Sequence, residues 1–160
     1  MQKLQKMTDE KKPGYMVSVL DNRCPRCRRG KLFTSSNPYQ LKSVLKMNKA
    51  CPVCGQPTEI EVGFYYGTAY VSYALTVAFC ITTFVIWWIL IGFSVKDGDY
   101  RLLWWGIING VLLIALQPIF MRLSRTMWLS WFVKYEPDWK NKPISKESVE
   151  RVVPEQMNNW

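Results

Sequence analysis

Two Cys-x-x-Cys pairs, Cys24-Pro25-Arg26-Cys27 and Cys51-Pro52-Val53-Cys54, carry the clearest chemistry in this chain. Each pair can close over one side of a tetrahedral ion, and two pairs complete a four-thiolate site. Zn²⁺ suits that donor set, and iron in a rubredoxin-like site takes the same ligands. The chain contains no histidine. That removes Ser-His-Asp and Cys-His catalysis, His-ligated haem, mixed Cys/His metal sites and a histidine pH switch. A four-cysteine zinc site has no open position for water, so its role is structural. The spacing therefore predicts structural zinc on Cys24, Cys27, Cys51 and Cys54, with no catalytic or other cofactor-binding residues. Iron, and with it electron transfer, is the second reading, because the flanking sequence shows no compact aromatic core around the knuckles. A dithiol redox role for Cys24 and Cys27 alone would leave the second pair unexplained. The fifth cysteine, Cys80, reads as a small apolar filler. An odd cysteine count fits a disulfide framework poorly and points to a reducing compartment.

Cations surround the first knuckle. Arg23, Arg26, Arg28, Arg29 and Lys31 can offset the formal −2 charge of a zinc tetrathiolate. Residues 1–61 hold twelve lysines and arginines against five acids. A nucleic-acid surface is one reading, with Phe33 and Tyr39 as stacking rings. Juxtamembrane cations that set topology and meet anionic lipid are the stronger one.

The elements that must position the knuckles follow from composition. Residues 1–21 are polar and read as a flexible lead-in without the apolar core of a cleavable signal peptide. Residues 22–62 form the metal module. Within it Asn37 and Pro38 suggest a helix start, with Leu41, Val44 and Leu45 on one face. The alternation of Thr58 to Val62 suggests a strand. About forty residues make little core, so the metal is expected to hold this module together. Residues 63–135 read as a two-span transmembrane hairpin with an interfacial extension, and residues 136–160 as a polar tail. The spans run from Thr68 to Phe93 and from Leu102 to Met121, with aromatic residues at their edges. Residues 122–135 either continue the second helix past Pro118 or lie along the interface. The expected fold class is thus membrane α-helical, a hairpin bearing a small N-terminal zinc ribbon.

The short connection carries two basic residues and the segment 122–160 seven, so the positive-inside rule puts both termini in the cytoplasm. The spans themselves contain no ionisable side chain other than Cys80 and tyrosines, which argues against a transporter acting alone. Gly106 and Gly110 form a small-xxx-small motif, available for hairpin packing or for a homo-oligomer. Asn109 is placed to hydrogen-bond Thr82 or Thr83, and Gln117 to meet Tyr73 or Thr76.

Several motifs together resemble an uncharacterised bacterial family. They are Arg23-Cys24-Pro25-Arg26-Cys27, Gly30-Lys31-Leu32-Phe33, Asn37-Pro38-Tyr39, Cys51-Pro52-Val53-Cys54-Gly55, Gly63-Phe64-Tyr65-Tyr66-Gly67 and Tyr70-Val71-Ser72-Tyr73-Ala74-Leu75. Over roughly residues 22 to 137 the chain resembles domain-of-unknown-function family 983, in its Bacteroidetes form. The resemblance implies a zinc ribbon with two helices in the bacterial cytoplasmic (inner) membrane and no assigned activity. It also implies proximity to assembly factors of haem–copper oxidases. Residues and resemblance together lead to the expectation of a non-enzymatic accessory or assembly protein, with lipid and a membrane complex as partners. The alternatives are a membrane-anchored iron electron carrier and a membrane-tethered nucleic-acid binder.

Overall fold

The structure, a computed structural model, describes residues 14–92 and 98–144. Three α-helices appear in order: α1 over Tyr15–Leu20, α2 over Thr68–Leu90 and α3 over Arg101–Phe132. Single 3₁₀ turns cover Leu41–Ser43 and Phe64–Gly67. No strand forms among the described residues; the metal module is tied by isolated antiparallel bridges, Arg23 with Lys31, Phe33 with Met47 and Ala50 with Pro57.

Helices α2 and α3 pack against each other along their length as an antiparallel pair. Ser72 donates to Ser124 Oγ at 2.8 Å near one end, and Thr83 Oγ1 donates to Asn109 Oδ1 at 2.9 Å farther along. Asn109 also reaches Cys80 Sγ at 3.4 Å. Rings interlock between these ties, Phe79 with Phe120 and Phe84 with Trp105. The expected partner for Asn109 is thereby found in Thr83, while Gln117 shares only a cleft wall with Tyr73 and Thr76. Gly106 and Gly110 are not part of this packing, since a Cβ on either would meet nothing within 4 Å.

Both helices are long and apolar enough to cross a membrane. Their most apolar stretches are 0% and 6% buried, which is not how the core helix of a soluble protein looks. At 1.5 Å per residue the 32 residues of α3 extend about 48 Å, well beyond a hydrocarbon thickness of about 30 Å. The helix runs through Pro118 without ending. Residues 122–132 thus continue the second helix, and their side chains explain why. Arg122, Thr126 and Leu129 are buried in contact with the metal module, and Ser124 against Ser72 of α2.

Three expectations change here. Residues before Asp21 are not all lead-in: α1 lies on α3, with Tyr15 Oη and Ser130 Oγ 3.0 Å apart and Ser18 and Val19 buried. The helix expected after Asn37 shrinks to the turn Leu41–Ser43. There Asn37 Oδ1 accepts from Tyr39 N–H at 2.9 Å, so its side chain closes an Asx turn in place of capping a helix. The strand expected over Thr58–Val62 is irregular backbone, because Thr58 N–H and its hydroxyl turn to the carbonyls of Lys49 and Asn48. Of the polar tail, Glu136 to Ile144 lies on the metal module: Glu136 N–H donates to Arg26 O at 3.1 Å, and Arg26 Nη2 to Lys142 O at 2.7 Å. Residues 93–97, 1–13 and 145–160 lie outside the described set, which takes in most of the hairpin connection and the end of the tail.

Candidate metal centre

The two knuckles are built alike. Arg28 N–H returns to Cys24 O at 2.7 Å and Gly55 N–H to Cys51 O at 2.9 Å. The residue after each second cysteine is left-handed, with φ of 55° at Arg28 and 70° at Gly55. Cys24 N–H donates to Gly30 O and Cys51 N–H to Gln56 O, both at 2.8 Å, which closes each loop behind its first cysteine. A glycine readily adopts the left-handed turn that the second knuckle needs. At the first knuckle arginine does so, held by its guanidinium 4.3 Å from the centre of the Tyr135 ring.

All four sulfurs converge. Cys24 Sγ lies 3.7 Å from Cys54 Sγ, Cys27 Sγ lies 3.7 Å from Cys51 Sγ, and the set falls within 4.8 Å. A metal–sulfur bond of about 2.3 Å in a tetrahedron requires sulfur pairs about 3.8 Å apart. Disulfides need about 2.05 Å. The spacing therefore fits a shared ion and no disulfide. Four cysteines close together can bind a metal ion, and these are the four expected from the sequence.

Crowding the thiols also reshapes their acidity. Hydrogen bonding, first with Cys27, drives the Cys24 thiol far above its ordinary value; hydrogen bonding, first with Cys24, drives Cys27 far below it. Cys51 comes down to about 7, chiefly through Cys24. Such a set does not readily shed all its protons alone, and a divalent cation bound there would replace them.

Packing around the sulfurs comes from unexpected places. The core that contains Cys24, Cys27 and Cys51 also holds Leu32, Phe33, Ile60 and Phe64 and, from α3, Leu129 and Val133. Trp128, Tyr65 and Trp139 pack against it. The aromatic core that the flanking sequence does not show is thus supplied by the far end of α3 and by the tail. Gly30 matters for the same reason: a Cβ there would overlap Cys51 Sγ. Arg26 is 5% exposed, and its guanidinium donates to Cys54 O at 3.3 Å, placing a buried cation beside the thiolates.

Comparison with protein-family models, with curated proteins and with solved structures finds no match. The likeness to family 983 accordingly rests on the motif residues alone.

Residues that sequence reasoning passed over join the centre to the helices. Arg122, 3% exposed, donates to Val44 O, Ser35 O and Asn37 O at 2.8 to 2.9 Å and lies 4.8 Å over the Phe33 ring. Arg125 donates to Leu45 O at 2.9 Å. Trp128 Nε1 donates to Phe64 O at 2.8 Å, its ring seated on Gly67, where a Cβ would collide with the indole. The signal was present in the sequence as charge and tryptophan one to three turns past an apolar span, but it reads equally as an interfacial belt.

Proposed function

We propose that this chain is a non-enzymatic accessory or assembly protein of a cytoplasmic membrane, a two-helix hairpin whose structural zinc ribbon is fixed rigidly to one end. The observation that carries the reading is the pairing of two helices with exposed apolar faces and a closed four-cysteine cluster locked to one of them. Exposed apolar faces suit lipid or a membrane partner. A closed thiolate site suits a scaffold and offers substrate no open coordination position. Zinc is the assignment because four thiolates at this spacing suit tetrahedral Zn²⁺, and the buried Arg26 offsets part of the −2 charge such a centre carries. The resemblance suggests a respiratory complex as partner, and the distribution of lysine and arginine supports both termini in the cytoplasm. A reporter fused after Trp160 should behave as cytoplasmic. Co-purification in mild detergent tests the function: a membrane complex enriched with the tagged chain supports it, and background alone refutes it.

One observation favours a second reading, the membrane-anchored iron carrier. Phe33, Phe64, Trp128 and Trp139 give the sulfurs the aromatic surroundings expected around an electron-transfer site. Visible thiolate-to-iron bands in anaerobically purified protein would establish it.

A further inference from the structure

Two clefts of about 480 and 550 Å³ share the walls Leu45, Tyr65, Tyr66 and Arg125. The first lies on the metal module, lined by Lys46, Asn48 and Glu59. The second runs between the long helices past Ser72, Tyr73 and Thr76 of α2 and Gln117 and Met121 of α3. The clefts thus adjoin across this common wall, one on the module surface and one on the apolar helix pair, and the two together are termed the groove.

Its polarity is graded by depth. Arg125 is held by a single bond from Nη1 to Leu45 O at 2.9 Å and by the Tyr65 ring 4.8 Å away. Its Nε and Nη2 meet no acceptor among the described residues, and Glu59, beyond ion-pair distance, acts on it electrostatically across the cleft. Met121 ends the uncharged part of α3, and Arg125 stands four residues farther on, about 6 Å at 1.5 Å per residue. That is headgroup level for a helix that enters the hydrocarbon at Met121. Tyr73, next to the Ser72–Ser124 tie, is exposed near that level, and Gln117, also exposed, lies about 6 Å inside Met121. Beyond them the helix surfaces are apolar.

We infer that this groove is a binding site for one anionic glycerophospholipid of the host bilayer. Its phosphate lies against Arg125 in the cleft that Lys46 and Glu59 also line, its ester oxygens face Tyr73, and an acyl chain follows the α2–α3 seam past Gln117. Charge complementarity at the mouth selects an anion. A non-helical peptide segment would carry unsatisfied backbone groups into hydrocarbon, whereas a lipid carries none. The inference rests on the membrane reading above.

The test is native mass spectrometry of the full chain in mild detergent, with phosphatidylglycerol and phosphatidylcholine of matched acyl length. Wild type should retain phosphatidylglycerol about fivefold more than phosphatidylcholine, the scale expected for one juxtamembrane cation. R125Q should remove the preference and R125K should keep it. Because Arg125 also steadies Leu45, Y73F gives an arm away from the module, expected to weaken retention about twofold by removing the hydroxyl that faces the ester oxygens. Equal retention of both lipids, or displacement by millimolar inorganic phosphate, overturns the site. Alkaline carbonate washing of membranes separates the two claims. Protein released into the supernatant refutes the membrane reading and the lipid site together, whereas embedded protein without preference refutes the lipid site alone.

Discussion

Arg122 shows how single side chains hold this molecule together. Its three carbonyl acceptors lie on one loop of the metal module, 78 to 87 residues away in sequence. Replacing it with alanine strands those acceptors and empties the face of Phe33. Charge-assisted bonds of this kind support a loss of about 2–4 kcal/mol. R122A should therefore melt earlier in detergent and expose residues 34–46 to limited proteolysis, with wild-type resistance refuting the clamp. Glu136 gives a pH signature at the same scale. Its hydrogen bond from Lys142 at 2.9 Å holds its carboxyl below the ordinary carboxylate range. A depressed carboxylate stabilises docking above its unfolded value, and that contribution vanishes as pH falls through the folded value. Trp139 fluorescence should report undocking of the tail in acid, and E136Q should lose the corresponding pH-dependent component. The clustering of the four cysteines was legible from spacing alone, because a tetrahedral site draws its ligands in pairs. Arg26 was legible only as one of several cations, since nothing local marks which of them becomes buried.

At the scale of elements, the two long helices were readable from uncharged length; the first has nearly the expected bounds, Thr68–Leu90 against Thr68 to Phe93, while the second runs past the expected Met121 to Phe132. Local patterns misled within the module. The alternation of Thr58–Glu59–Ile60–Glu61–Val62 reflects Ile60 turned into a core shared with α3, with no ladder beside it. Pro118 left the second helix open to two readings, and the decision came from tertiary docking of residues 122–132, which propensity does not contain. The Thr83–Asn109–Cys80 tie is the element-level interaction best suited to a test. N109L should destabilise the helix pair by about 1 kcal/mol, within the range measured for hydrogen bonds between membrane helices. Urea-resistant helix packing unchanged in N109L would show the tie to be idle.

For the whole molecule, metal module and hairpin form one continuous body. The sequence suggested a small ribbon reliant on its ion and tethered to membrane spans, because forty residues cannot bury much. The structure finds the missing core in Leu129 and Val133 of α3, with Trp128 and Trp139 packed against it. A ribbon fixed this way transmits its orientation to the helices, which is what a docking scaffold requires. It also means that loss of the ion will disturb the end of α3 as well as the knuckles. The most direct test is the metal content of detergent-purified full chain beside C51S, read by elemental analysis. Stoichiometric zinc in the wild type, lost in C51S together with protection of Trp128, is the predicted result. Wild-type protein that is folded yet free of zinc and unaffected by C51S would contradict it.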